Sequence, residues 1–392
     1  MRLRRLIGFN LLTGVVLGVV GFYVGWWLGH QFKAPSLDYF SDTGQNDIAL
    51  FLAYLTCILG FLVGLGFANY PLQRLLGKPP SLREKETAGP GRYFGLCTDH
   101  KVVGIQYLIG IGVFIFIGGL NAMLIRFELL SPTHQAWNAN NYLTLVGLHG
   151  TMMMGMMTSG ILGPFANYFV PIMIGARRMA FPRIEALTFW LLMVAGVFLM
   201  TTIGYGGFPT GWTGYAPLND QANMGMDSYI VFFVLVGLSM MLLGLNMIAT
   251  VITMRAPGMA WGRLPIFVWG VISTSVLMLL AAPVLASTLI MVALDRTAQT
   301  GFFNDQAGGS PYLYRTCSGS SATRRSTSWL CPAWGSCSRS CRCSRASRCG
   351  GTGSRSRECS GSRSSRGSSG NTTSSSAAST PTSGPSTCSR PS

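Results

Sequence analysis

The 392-residue chain is 49% hydrophobic and only 11% charged, whereas an ordinary soluble domain has roughly 25% charged residues. This composition excludes a typical soluble protein and indicates a membrane protein over most of the length. The net charge of +16 is no simple nucleic-acid signal, because residues 1–314 contain 17 Lys+Arg and 12 Asp+Glu, whereas residues 315–392 contain 12 Arg, no Lys and one acid.

Seven stretches are apolar over the roughly 20 residues that a helix needs to cross a bilayer. The first follows the basic segment "MRLRR", but its apolar run is longer than that of a signal peptide and lacks a small-residue cleavage site, which predicts a retained span. The fold predicted is an all-α polytopic membrane protein. Its seven predicted transmembrane helices are 5–29, 48–69, 102–124, 142–174, 187–206, 228–254 and 264–293.

Basic residues alternate between the two sides of these spans. They are concentrated at the N-terminus and in the loops after spans two, four and six, whereas the intervening loops hold only Lys33 and Arg126 against several acids. Since basic loops stay cytoplasmic, the alternation predicts a cytoplasmic N-terminus. The residues concerned are Arg2, Arg4, Arg5, Arg74, Lys78, Arg83, Lys85, Arg92, Lys101, Arg177, Arg178, Arg183, Arg255 and Arg263.

His149 is the histidine that lies within a predicted span, in "TLVGLHGTMMMGMM". An ionisable ring at membrane depth marks a functional site by default, and neutral imidazole is a common axial ligand of heme iron. Gly147 and Gly150 would let a flat macrocycle approach the helix closely. The alternative is a histidine that bonds a neighbouring helix. The methionine run after it covers all helix faces and favours soft packing over ligation.

Several segments resemble subunit I of the heme-copper terminal oxidases, the cytochrome c oxidase type. They are "LHGTMMM", "ANYFVPIMIGARRMAFPRIEALTFW" (166–190), "GWTGYAPL" (211–218), "MRAPGMAW" (254–261) and "LDRTAQTGFFNDQAGGSPYLY" (294–314). They occur in the order and with the spacings of that family, starting at "FGLCTDHKVVGIQYL" near residue 94. Residues 1–93 therefore resemble a two-span N-terminal extension with a linker, and residues 94–314 a partial oxidase domain.

The resemblance implies roles for single residues. His149 matches an axial ligand of the low-spin heme, and Arg126 matches an arginine that contacts the periphery of that heme, although a snorkelling interfacial Arg is the alternative. Trp212 matches a tryptophan near the propionates of the high-spin heme, although a membrane-interface tryptophan is an equally ordinary interpretation. Asn167 matches an asparagine of a proton-uptake route. Arg178 stands where the family has an acid, and an arginine cannot pass protons at neutral pH.

The function implied is electron transfer from cytochrome c or a quinol, through heme and a heme-copper centre, to oxygen, coupled to proton translocation. The cofactors implied are a low-spin heme of the a type here, and a high-spin heme and copper in the intact family member. The implied protein partners are oxidase subunits II and III. The implied location is the plasma membrane, and no nucleic-acid partner is implied. The further heme and copper histidines of the family should follow Tyr314, yet no histidine follows His149, so no catalytic residue is intact.

The change of composition after Tyr314 has a simple interpretation. In the family, "YLY" continues as Gln-His-Leu-Phe-Trp, and deletion of one base from the glutamine codon of a GC-rich gene reproduces residues 314–329. The same displaced frame gives family-like segments from 336–353 and 368–379. Copper-ligand histidines would then straddle the codons of Ala322 and Thr323 and those of Asn371 to Thr373. Residues 315–392 are thus predicted to be out of frame, disordered and unable to complete the oxidase chemistry.

Other interpretations of these features belong to different protein classes. A transporter-like or receptor-like bundle with an Arg/Ser-rich interaction tail would explain the seven spans but not the ordered motifs. A nucleic-acid-binding tail is disfavoured because its aromatic residues stop at Trp334. The cysteines at 337, 341, 343 and 349 fit no regular paired zinc-ligand spacing.

Overall fold

Long apolar helices dominate the computed structural model, which describes residues 11–31, 42–77, 90–130, 136–156, 162–221 and 223–319. All regular secondary structure in these ranges is helical, because inside a bilayer a helix satisfies its own backbone hydrogen bonds. Among the described residues, six helical stretches are long and apolar enough to span a membrane: Leu11–Gln31, Asn46–Leu65, His100–Glu128, Pro182–Tyr205, Gly225–Thr253 and Ile266–Ala298. The predicted all-α polytopic membrane fold is confirmed.

The helices are numbered in chain order. The N-terminal ones are α1 (Leu11–Gln31), α2 (Asp42–Leu65) and the short α3 (Asn69–Leu75). The central ones are α4 (His100–Glu128), α5 (Ala139–Thr151), α6 (Asn167–Met173) and α7 (Pro182–Thr201). The short α8 (Leu218–Gln221), α9 (Gly225–Thr253) and α10 (Ile266–Ala298) follow, and residues 311–319 are also helical.

The fourth predicted span, 142–174, is not one continuous α-helix in the described residues. It comprises α5, π-helical turns at Met152–Met156 and Leu162–Ala166, and α6, while residues 157–161 lie outside the described ranges. Pro164 has no N–H to donate to a regular α-helical ladder, and π turns are common next to functional sites. The other six predicted spans each overlap one long helix, although residues 5–10 of the first span lie outside the described ranges.

Helices α1 and α2 form a closely packed hairpin. The Thr13 and Thr56 hydroxyls donate to the backbone oxygens of Gly64 and Gly21, at 2.9 and 2.7 Å. A Cβ atom on Gly25 would collide with the backbone of α2. Small residues therefore let the two backbones approach as they do in other transmembrane helix pairs.

Buried polar contacts join this hairpin to the later helices. The Tyr54 hydroxyl lies 2.6 Å from both Thr201 Oγ1 and Ser228 Oγ. The Arg296 guanidinium pairs with Asp47 of α2 at 3.2 Å and with Asp227 of α9 at 2.7 Å. The three charged groups are buried together. The attraction between the guanidinium and the two carboxylates offsets the desolvation free energy that each charge would cost if it were buried alone.

Helices α7 and α9 carry much of the apolar core. Trp190 and Leu192 of α7 and Phe232 and Val236 of α9 belong to one cluster of buried side chains. Several polar side chains on these two helices are also fully buried, Glu185 among them. Polar groups buried inside membrane spans are candidates for functional positions.

Candidate functional site

His149 lies in the last turn of α5 and faces α4. Its Nδ1 atom is 2.9 Å from the carbonyl oxygen of Gly118. Because a carbonyl oxygen can only accept, Nδ1 carries the proton in this contact and Nε2 keeps its lone pair. Metal-ligating histidines almost always use their second nitrogen in this way. The orientation and tautomer of the ring therefore suit ligation through Nε2.

Two glycines next to His149 keep the surroundings of the ring compact. A Cβ atom on Gly118 would approach the Met152 Cβ atom to 3.1 Å, and one on Gly150 would approach the Trp212 Cβ atom to 2.9 Å. Trp212 is thus brought against the helix turn that carries His149. Of the predicted site residues, His149 and Trp212 are the pair that the structure brings together.

Two buried polar atoms, one near His149 along α5 and one near its contact Gly118 along α4, have no hydrogen-bond partner in the described part of the chain. They are Thr151 Oγ1, two residues further along α5, and Asn121 Nδ2, one turn beyond Gly118 on α4. A buried polar atom without a partner carries a cost of about 1–3 kcal/mol. Such atoms are compatible with a site that holds a group with polar edges, as heme has.

The loop that carries Trp212 is held from two directions. The Tyr229 hydroxyl of α9 donates to the Trp212 carbonyl oxygen at 2.7 Å. The Tyr314 hydroxyl donates to the Thr213 carbonyl oxygen at 3.0 Å, and burial raises the pKa of the Tyr314 phenol. Trp212 itself remains 39% exposed, which also suits the alternative of a membrane-interface tryptophan.

Arg126 is exposed and lies in the last turn of α4. It is eight residues from Gly118, or about 12 Å along the helix axis. The structure therefore places Arg126 on the helix that faces His149, but at its far end. Its predicted contact with the heme periphery stays a prediction.

The two predicted proton-route residues occupy contrasting environments. Asn167 is fully buried at the start of α6, and neither polar atom of its side chain has a hydrogen-bond partner in the described residues. Arg178 is exposed in the loop between α6 and α7. An exposed guanidinium therefore occupies the position at which the sequence resemblance predicts an acid.

Sequence reasoning did not single out Glu185 or the ion cluster of Asp47, Asp227 and Arg296. The signal for Glu185 was present, because its carboxyl group is close to the start of an apolar span in "MAFPRIEALTFW". No pattern in one sequence joins Asp47 to Arg296, which are 249 residues apart. The predicted copper-ligand codons fall at 322–323 and 371–373, outside the described residues.

The bundle of long apolar helices defines a polytopic membrane protein, in which the Gly118 carbonyl oxygen orients the imidazole of His149. The model of the family described as cytochrome c and quinol oxidase polypeptide I matches residues 102–335. The match covers more than half of the chain, so the chain belongs to this family. The matched range begins eight residues after the predicted domain boundary at 94 and ends 21 residues after the predicted boundary at 314.

Curated relatives carry the corresponding name. The chain is 41% identical over 225 residues to cytochrome c oxidase subunit 1 of Thermostichus vulcanus. The aligned residues make up 57% of this chain and 41% of that protein. It is 39% identical over 237 residues to cytochrome c oxidase subunit 1 of Bacillus subtilis, covering 60% of this chain and 38% of that protein. The chain thus spans about two fifths of the length of the curated relatives it matches.

Proposed function

We propose that the chain is subunit I of a respiratory terminal oxidase and that His149 is an axial ligand of its low-spin heme. The observation that carries the proposal is the contact of His149 Nδ1 with Gly118, which leaves Nε2 available as a ligand. Family membership supports heme and copper as the cofactors. Heme of the a type rests on the resemblance of the sequence motifs.

Each site residue has a limited task in this proposal. His149 supplies the ligand atom, while the Gly118 carbonyl oxygen fixes the plane of the imidazole. Arg126 would contact the periphery of the low-spin heme, and Trp212 would lie near the propionates of the high-spin heme. When bound, heme supplies one-electron redox chemistry. The chain provides the orientation and the apolar surroundings that tune it.

The physiological reaction proposed is transfer of electrons to oxygen with translocation of protons. Cytochrome c is the proposed donor, with a quinol as the alternative, and subunits II and III are the proposed partners. The plasma membrane is the proposed location, and the alternation of basic loops supports a cytoplasmic N-terminus. The names of the relatives support the oxidase assignment without identifying the donor of this chain.

The proposal includes a frameshift after Tyr314 that leaves the chain inactive in oxygen reduction. Support comes from the displaced frame, which yields family-like segments in order at 314–329, 336–353 and 368–379. It also comes from the composition of residues 315–392, which is typical of a chain that cannot fold by burying apolar surface. The second low-spin ligand and the copper ligands would then be encoded but not translated.

Heme absorbance tests the ligand assignment. The full chain should purify with a heme spectrum, and His149→Ala should lose most of the bound heme. His30→Ala is the matched control, because His30 Nδ1 also contacts a backbone oxygen, that of Trp26, at 2.9 Å. A colourless full chain, or a His149→Ala variant that keeps its heme, would refute the proposal.

Sequencing of the gene across the codons of Tyr314 and Arg315 tests the frameshift. An additional base at this point would restore the Gln-His-Leu-Phe-Trp frame, and the inactivity proposed here would be wrong. A confirmed deletion predicts no oxygen consumption by membranes that contain the chain, whatever electron donor is supplied.

A further inference from the structure

The loop between α6 and α7 and the loop between α9 and α10 lie against each other. The Ala256 N–H of the second loop donates to the Ile174 carbonyl oxygen of the first at 3.0 Å. A Cβ atom on Gly175 would approach the Ala256 Cβ atom to 2.9 Å. Residues 174–183 and 254–266, which we call the paired segments, therefore form one surface at the same end of the bundle.

The paired segments carry five arginines and no acidic residue: Arg177, Arg178, Arg183, Arg255 and Arg263. Arg177, Arg178 and Arg263 are exposed. Like charges on adjoining loops repel one another, and a surface with an excess of positive charge attracts anions. The paired segments therefore favour a ligand that brings negative charge.

Arg255 differs from the exposed arginines because its guanidinium is held against an aromatic ring. Its Cζ atom lies 4.0 Å from the centroid of the Trp261 ring, and the centroids of the Trp261 and Trp269 rings are 5.8 Å apart. The Nη1 atom of Arg255 is buried and has no hydrogen-bond partner among the described residues. A guanidinium that is held flat on a ring and keeps an unused N–H donor suits the oxygens of a phosphate group.

Beyond these arginines, α10 has an apolar stripe that the rest of the described chain leaves exposed. The stripe consists of Ile266, Trp269, Val276 and Leu280. At 3.6 residues per turn these positions fall within a sector of about 80° on the helix and extend over about 21 Å. They belong to a helix that is long and apolar enough to span a membrane. An acyl chain can therefore follow the stripe away from the arginines.

We propose that the paired segments and this stripe bind an anionic phospholipid, with its phosphate at Arg255 and Arg263 and one acyl chain along α10 from Trp269 to Leu280. Basic pockets between transmembrane helices on the cytoplasmic side bind anionic head groups in this way. A free phosphate would contact the arginines but not the stripe, which favours the lipid. The site goes beyond the proposed oxidase function, because none of its residues belongs to the proposed heme site.

Tryptophan fluorescence of the full chain in phosphatidylcholine nanodiscs tests the proposal. A small fraction of the lipid is replaced by phosphatidylglycerol that is brominated in the upper part of its acyl chains, and bromine quenches the tryptophans that it contacts. Brominated phosphatidylglycerol should quench more than brominated phosphatidylcholine at the same mole fraction. This excess should disappear in a chain with Trp261→Phe and Trp269→Phe, because these two rings line the site.

Arginine variants test the head-group contacts. Arg255→Gln and Arg263→Gln should each lower the relative association constant of phosphatidylglycerol about fivefold, which is the typical effect of one basic residue near an anionic membrane surface. Arg263 is exposed, so Arg263→Gln alone decides if Arg255→Gln does not fold. Arg74→Gln is the matched control, because Arg74 is an exposed arginine of α3 on the same predicted side of the membrane.

Three results would overturn the proposal. The first is equal quenching of the full chain by the two brominated lipids. The second is an equal loss of preference in Arg74→Gln and Arg263→Gln, since this would show only a general attraction between basic loops and anionic lipid. The third is displacement of phosphatidylglycerol by inorganic phosphate but not by chloride at the same ionic strength, which would identify a site for a free anion.

Discussion

At the scale of single residues, the space around His149 depends on Gly118. A Cβ atom at Gly118 would lie 3.1 Å from the Met152 Cβ atom, whereas one at the adjacent Gly119 would meet nothing within 4 Å. Gly118→Val should therefore displace the Met152 turn and disturb the contact with His149, at a cost of about 1–3 kcal/mol from overpacking. We expect less bound heme in this variant, measured as heme absorbance per protein.

Gly119→Val is the control for this prediction. It makes the same change of helix propensity on the same helix, at a position where the added Cβ atom would meet nothing within 4 Å. Equal heme loss in the two variants would show that the close approach at Gly118 does not matter for binding.

At the scale of elements, the attachment of the α1–α2 hairpin depends on Arg296. Its guanidinium is buried between Asp47 of α2 and Asp227 of α9. Removal of one member of a buried ion cluster costs about 3–5 kcal/mol, so Arg296→Met should lower the thermal unfolding temperature in detergent clearly. Arg263→Met removes an exposed arginine just before α10 and should change it little. Similar melting of both variants would argue against a structural role for the cluster.

The helices also show which features of the fold and of the candidate site can be predicted from one sequence. Hydropathy located the long helices because apolar length is a local property, and the isolated polar ring at His149 was visible for the same reason. The division of the fourth predicted span and the triad at Arg296 depend on contacts between distant segments, which one sequence does not reveal. Glu185 could have been found from hydropathy, yet the absence of hydrogen-bond partners for its carboxyl oxygens among the described residues is a property of the packed bundle.

At the scale of the whole molecule, Tyr314 is the last residue before the change of composition and is 1% exposed. Its ring packs against Phe303, with 5.6 Å between centroids. If the following residues are out of frame, a chain that ends at Arg339 should melt at nearly the same temperature as the full chain, because a segment of this composition buries too little apolar surface to add stability. A chain that ends at Ser310 loses Tyr314 and should melt lower. A large destabilisation by the first truncation would contradict the frameshift proposal.

The pairing of Asp47 with Arg296 has a consequence for biosynthesis. The two residues are 249 positions apart, and translation proceeds at roughly 5–20 residues per second. The α1–α2 hairpin can close as soon as it enters the membrane. Arg296, however, is synthesised on the order of 10–50 s after Asp47. During that interval Asp47 lacks its Arg296 partner near the end of a membrane span. The translocon or an insertase would have to keep this carboxyl group in a polar environment.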